Sequence, residues 1–155
     1  MYECENLEQV LDLLRRMPAE YNVNFILCDG ERNIVDAEYT TEGPQILRDQ
    51  SAGYLVHTNH YLCQRFATEE NFKRSLGDSC PRLDRINSLI QQRYGSLEVD
   101  DFKHFLTDHS GYPPSTCRHS DNMRTVASLI SEPAQRRMHV AVGNPCQHKY
   151  VTYSM

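Results

Sequence analysis

The 155-residue chain has no tryptophan, no CxxC pair, no run of basic residues and no apolar stretch near the ~18 residues that a membrane-spanning helix needs. The missing apolar stretch leaves no transmembrane helix, so a membrane is not expected as a partner. The missing basic run, with sixteen Lys and Arg against twenty-one Asp and Glu and a net charge of −5, argues against nucleic acid as the main partner. The first six residues, Met-Tyr-Glu-Cys-Glu-Asn, are acidic and lead straight into an amphipathic pattern, unlike a secretory leader. Tyrosine is frequent, but neither that nor the absence of tryptophan points to a function. Six cysteines, at positions 4, 28, 63, 80, 117 and 146, could form three disulfides. Without a CxxC pair, and set in or beside apolar segments, they read as free, partly buried thiols in a reducing compartment, and the expected location is cytoplasmic.

The length suits one domain over residues 1–155, with no linker, repeat or low-complexity segment. "NLEQVLDLLRRM", residues 6–17, places Leu7, Val10, Leu11 and Leu14 at helical spacing, with Pro18 as the stop. "VNFILCDGERNIVDAEY" reads as two strands flanking Asp29-Gly30-Glu31; the almost wholly apolar Val23–Cys28 run suggests a central strand covered on both faces. "TTEGPQILRDQSAG" reads as a loop and "YLVHTNHYL" as another short strand. Two helices follow. The first is capped by Asp78 or Ser79, has Pro81 in its first turn and ends at Gly95, with Leu83, Ile86, Leu89 and Ile90 inward. The second is capped by Ser96 and closed by Gly111, with Val99, Phe102, Phe105 and Leu106 inward. "YPPSTCRHSDN" is a loop, and the β-rich runs after it form a terminal antiparallel meander. The order predicts α+β, with helices layered on an antiparallel sheet.

"YLVHTNHYL" poses the functional question, because it sets two histidines and an asparagine at the mouth of an apolar segment. His57, His60 and Cys63 are spaced three apart, as zinc ligands on one helical face would be, but the flanking residues favour a strand and turn. Cys117-Arg118-His119 is an electropositive setting that could activate a thiol, or simply a loop with a buried cysteine. Asn59 could donate to a carbonyl becoming an oxyanion, or close an Asx turn at a strand end.

These residues resemble one family. "LVHTNHYL" is similar to the His-Thr-Asn-His segment of the isopenicillin N acyltransferase-like proteins, which are self-processing cysteine amidohydrolases and acyltransferases with an N-terminal nucleophile. The hairpin "NFILCDGERNIVDAEY", the helix start "DSCPRLDRI", the segment "LTDHSGYPPSTCRH" and the closing strands follow in the same order, so the resemblance spans residues 7–153. It implies an αββα sandwich and cleavage or transfer of an acyl group at an amide bond. The agent would be an autoproteolytically freed N-terminal cysteine whose own α-amine serves as base. Asn59 matches the oxyanion-stabilising asparagine and Arg118 the active-site arginine; His57, His60, Asp108 and His109 would line the substrate pocket. No metal and no cofactor is implied.

The family's nucleophile follows a glycine and precedes the His-Thr-Asn-His segment, and this sequence contains no Gly-Cys dipeptide. Cys4 lies between two glutamates at a helix entrance and Cys28 ends a strand, so neither suits. The resemblance therefore implies an incomplete, C-terminal portion of the sandwich, whose partners are a small-molecule amide or acyl substrate and an N-terminal half carrying the nucleophile. Family members act on a β-lactam precursor or on β-alanyl conjugates of biogenic amines. Two other classes stay open: a non-catalytic binding or structural remnant of that fold, and a zinc module through His57, His60 and Cys63.

Overall fold

The structure, a computed structural model, describes residues 4–17, 19–49, 51–68 and 77–154. Pro18, the expected stop of the first helix, lies outside them. The chain is mixed α+β with antiparallel sheets. It divides into two compact units, Met1–Ser75 and Leu76–Met155.

In the first unit, helix α1 spans Leu7–Arg16. Asn6 caps it by accepting the Gln9 N–H at 3.0 Å, and Gln9 Oε1 accepts the Glu5 N–H in return. Leu7, Leu11 and Leu14 are buried on one face against Val35, Ala37 and Tyr39 of the sheet. Burial of each leucine contributes about 1.5–3 kcal/mol. The strands are β1 (Val23–Cys28), β2 (Ile34–Thr40) and β3 (Gly43–Arg48), antiparallel in the order β1-β2-β3. Three sequence expectations change here. The central strand is β2, buried along nearly its whole length, while β1 lies at the side of this sheet. The segment read as a loop holds β3; Gly43, at φ +97°, turns the chain, and Pro44 enters at the strand's second residue, where a missing N–H is tolerated. Residues 54–62 form no strand, because their polar anchors are side chains of β2 rather than a neighbouring backbone.

In the second unit, helix α2 (Ser79–Arg93) starts after Asp78, with Pro81 in its first turn, and Gly95 (φ +81°) follows its end. Helix α3 (Val99–Leu106) is capped by a Glu98/Asp101 capping box rather than by Ser96, and it buries Phe105 while Phe102 stays exposed. The expected loop after it contains a small hairpin, β4 (His119–Ser120) with β5 (Met123–Arg124). The terminal meander is as expected: β6 (Ala127–Glu132), β7 (Arg137–Val142) and β8 (Val151–Ser154), antiparallel in that order. α3 packs on β6. One face of this sheet is buried through Ser128, Ile130, His139 and Ala141. Register puts Leu129, Val140 and Val151 together on the other face, with Val142, Met138 and Tyr153 beside them. That face is open: Leu129 is 58%, Val142 74%, Val151 54% and Tyr153 52% exposed.

Leu11 is wholly buried with the five other side chains of the core, so Leu11→Ala should cost about 2–5 kcal/mol. Phe102→Ala, at an exposed site, should cost far less. Urea unfolding followed by circular dichroism separates the two. Equal losses would mean that α1 does not carry the first unit's core.

Candidate functional site

The polar face of the first sheet is built by alternation along β2. Val35, Ala37 and Tyr39 face α1, which sends Asp36 and Glu38 to the opposite side, where both are about 1% exposed. Buried carboxylates demand donors, and residues 57–63 supply them. His57 Nδ1 lies 2.9 Å from Asp36 Oδ2 and 3.8 Å from Glu38 Oε1, with its side chain 6% exposed. An ionised carboxylate only accepts, so against one Nδ1 is the donor of this contact. Glu38 Oε1 accepts the Leu62 N–H and Oε2 accepts the Cys63 N–H at 3.1 Å. One buried carboxylate therefore grips two consecutive backbone amides, and its neighbour fixes the imidazole five residues earlier. Asp36 Oδ1 has no hydrogen-bond partner, which leaves an acceptor beside the imidazole.

Between these two anchors lie Thr58, Asn59 and His60. His60 Nδ1 is 3.3 Å from Thr58 Oγ1, and Asn59 is exposed. These residues line a pocket of about 630 Å³ together with His57, Tyr61, Asn22, Asn24, Ile26 and Glu38. Burial raises the Tyr61 phenol above its usual value, and the Glu38 charge pushes it further, against a hydrogen bond from Asn22. Tyr61 thus stays a neutral hydroxyl in the wall. The zinc reading of His57, His60 and Cys63 finds no support among the described residues. His57 is engaged by Asp36, Cys63 Sγ lies 4.0 Å from Gln45 Oε1, and the three are not gathered as ligands.

The other sequence candidates belong to the second unit. Arg118 Nη1 meets Asp78 Oδ2 at 2.6 Å, and the same carboxylate takes Arg82 at 3.0 Å through Oδ1. Asp78 sits at the head of α2 but spends its oxygens on these two guanidiniums, not on the helix N–H groups. The Arg118 backbone is held by Thr125 Oγ1, which accepts its N–H, and by the Asn144 amide, which donates to its carbonyl at 2.5 Å. Asp108 pairs with Arg85 through Nε at 3.2 Å and Nη2 at 2.6 Å. That hydrogen bond holds the Asp108 carboxyl below its ordinary range, opposed by partial burial. His109 Nε2 faces His119 Nε2 at 3.0 Å. Sequence reasoning missed Asp36, Glu38, Asp78 and Asn144. The alternation in "IVDAEY" puts the first two on one strand face but does not tell a buried face from a solvent face, and Asn144 stands in Gly143-Asn144-Pro145, whose residue types are those of a turn.

A family model described as acyl-coenzyme A:6-aminopenicillanic acid acyl-transferase matches residues 1–147. No curated protein matches the chain.

Replacing Glu38 by Gln leaves one backbone amide without its charged acceptor and should cost on the order of 1.5–3 kcal/mol. The Leu62 and Cys63 amide resonances should shift while those of α1 do not; unchanged resonances would remove Glu38 as the anchor. A second test concerns pH. Asp108 has a lowered folded pKa, so the unfolded state binds its proton more readily. Its contribution is complete above the usual carboxylate range and is lost as pH falls through the lower folded value. Asp108→Asn should therefore flatten stability against pH in the acid range; an unchanged slope would overturn the pairing.

Proposed function

The chain belongs to the acyl-coenzyme A:6-aminopenicillanic acid acyl-transferase family, and from that premise we propose that it serves cleavage or transfer of an acyl group at an amide bond, with Asn59 as the oxyanion donor. The observation that carries the proposal is the setting of Asn59. It stands exposed at a pocket of about 630 Å³, on a segment held at one end by Asp36 through His57 and at the other by Glu38 through two amides. An oxyanion donor is effective when its position is fixed before the reaction begins.

In the proposed reaction a cysteine thiolate attacks the substrate carbonyl, a C–S bond forms, and the carbonyl π electrons move onto oxygen. The Asn59 amide donates to that oxygen. Collapse breaks the C–N bond, and the leaving amine takes the proton that the nucleophile gave up to its base. The resulting thioester then passes its acyl group to an amine or to water. His57 and His60 shape the wall beside Asn59. Arg118, partnered by Asp78, is the second residue we assign to the reaction.

The nucleophile in this reading is an N-terminal cysteine outside these residues, since no cysteine here follows a glycine. The fold in this reading is an αββα sandwich of the N-terminal-nucleophile type, to which residues 1–155 contribute the C-terminal portion. Two features support that. The second sheet presents Leu129, Val142, Val151 and Tyr153 on one open face, as a sheet awaiting a second layer would. Among the described residues of the first unit, no cysteine lines the Asn59 pocket.

The chain alone should show no amidase or acyltransferase activity on simple N-acyl amides or thioesters. Turnover abolished by thiol alkylation would point instead to an internal cysteine such as Cys117. Joined to, or co-expressed with, an N-terminal half carrying a Gly-Cys nucleophile, the protein should turn over substrate. Asn59→Ala should then lower kcat by about 10²–10³-fold with little change in KM. Near-normal turnover in Asn59→Ala, with loss in His60→Ala, would reassign the oxyanion role.

A further inference from the structure

The second unit holds two cysteines that the acyl-transfer reading does not use, gathered beside His109, which the family resemblance counts among the pocket residues. Cys117, Cys146 and His109 each offer a ligand atom, two sulfurs and one ring nitrogen, all within 4.8 Å of one another. The two sulfurs are 3.5 Å apart. Around a tetrahedral zinc ion with Zn–S near 2.3 Å, two sulfurs stand about 3.7 Å apart, so the pair is within a few tenths of an ångström of that geometry. A disulfide would need the sulfurs at about 2.05 Å and would have no use for an imidazole beside them. We propose that Cys117, Cys146 and His109 form a transition-metal site of the zinc type, with a fourth position open to an exogenous ligand.

The surroundings are those of a held site. Cys117 is fully buried, and its N–H donates to the Asp108 carbonyl at 3.1 Å, which ties it to the residue before His109. Its carbonyl accepts from Ser115 Oγ at 2.6 Å. The Asn144 amide, itself buried, reaches both the Arg118 carbonyl and the Cys117 sulfur, the latter at 4.0 Å. The same Asn144 opens the turn that presents Cys146, since its carbonyl accepts the Gln147 and His148 N–H groups. His109 packs against two rings, His119 at 5.0 Å edge-on and Tyr112 at 6.3 Å, and its Nε2 lies 3.0 Å from His119 Nε2. Metal ligands commonly have such a partner, which sets the orientation of the imidazole. Cys146 is exposed and His109 half-buried, so an ion has a route in. Two thiolates with one imidazole suit zinc or another borderline-soft metal rather than calcium or magnesium. Binding releases the two thiol protons to solvent, so occupancy should increase with pH.

The test uses the full chain and cobalt(II) as probe. One equivalent should bind and give thiolate-to-cobalt charge-transfer absorption in the near ultraviolet with visible bands of tetrahedral intensity; zinc should displace it. Cys146→Ser and His109→Gln, both at positions with some exposure, should abolish the charge-transfer signal or weaken binding by more than about 100-fold, with circular dichroism confirming the fold. His119→Gln, which removes only an outer partner, should weaken it by roughly 10–100-fold. Cys28→Ser and Cys63→Ser should leave the spectrum unchanged. A cobalt spectrum without thiolate bands, one that survives Cys146→Ser, or a Cys117–Cys146 disulfide in place of metal would each overturn the site.

Discussion

The first unit depends on two carboxylates that β2 forces out of water. Strand alternation gives β2 one apolar face, and α1 covers it. The same alternation sends Asp36 and Glu38 to the opposite face, and that face is covered too. Uncompensated, a buried carboxylate costs several kcal/mol. Here the compensation comes from residues 57–63, which bring an imidazole and two backbone amides. Neither partner makes sense without the other. The carboxylates need donors, and an irregular segment lying over a sheet needs somewhere to place its N–H groups. The pocket is what remains between them, and Asn59 is held at its edge by contacts on both sides.

The second unit uses a related device with the signs exchanged. Arg118 and Arg82 share Asp78, and Arg85 takes Asp108. Asn144 adds a neutral tie from the turn after β7 to the Arg118 carbonyl and the Cys117 sulfur. Chemistry-bearing residues in both units therefore sit on loops whose positions are set by side chains far away in sequence. The regular elements beneath them are rather plain.

That division explains what could be read in advance. Helix α1, the β1–β2 hairpin, α2 and the terminal meander follow from spacing among near neighbours, and local periodicity reports such elements faithfully. β3 escaped because Gly43-Pro44 looks like loop punctuation, and only pairing with β2 makes it a strand. The cap of α3 was misplaced because Glu98 and Asp101, both acidic, make the reciprocal box while Ser96 stands nearer the expected start. Asn59 and His57 were legible as polar residues interrupting an apolar run. Asp36 and Glu38 were not, because alternating acids on a strand ordinarily mark a solvent face. Their burial is decided by residues 21 to 25 positions away in the chain. Asn144, 26 residues from its acceptor, was hidden in the same way.

The grip of Glu38 on Leu62 and Cys63 has a dynamic corollary. Those two amides lie in a stretch with neither helix nor strand, where exchange with solvent deuterium would ordinarily be fast. Because their acceptor is a side chain of the central strand, their protons are released only when that carboxylate lets go. An irregular piece of chain thereby gains protection from exchange that its own backbone pairing does not supply.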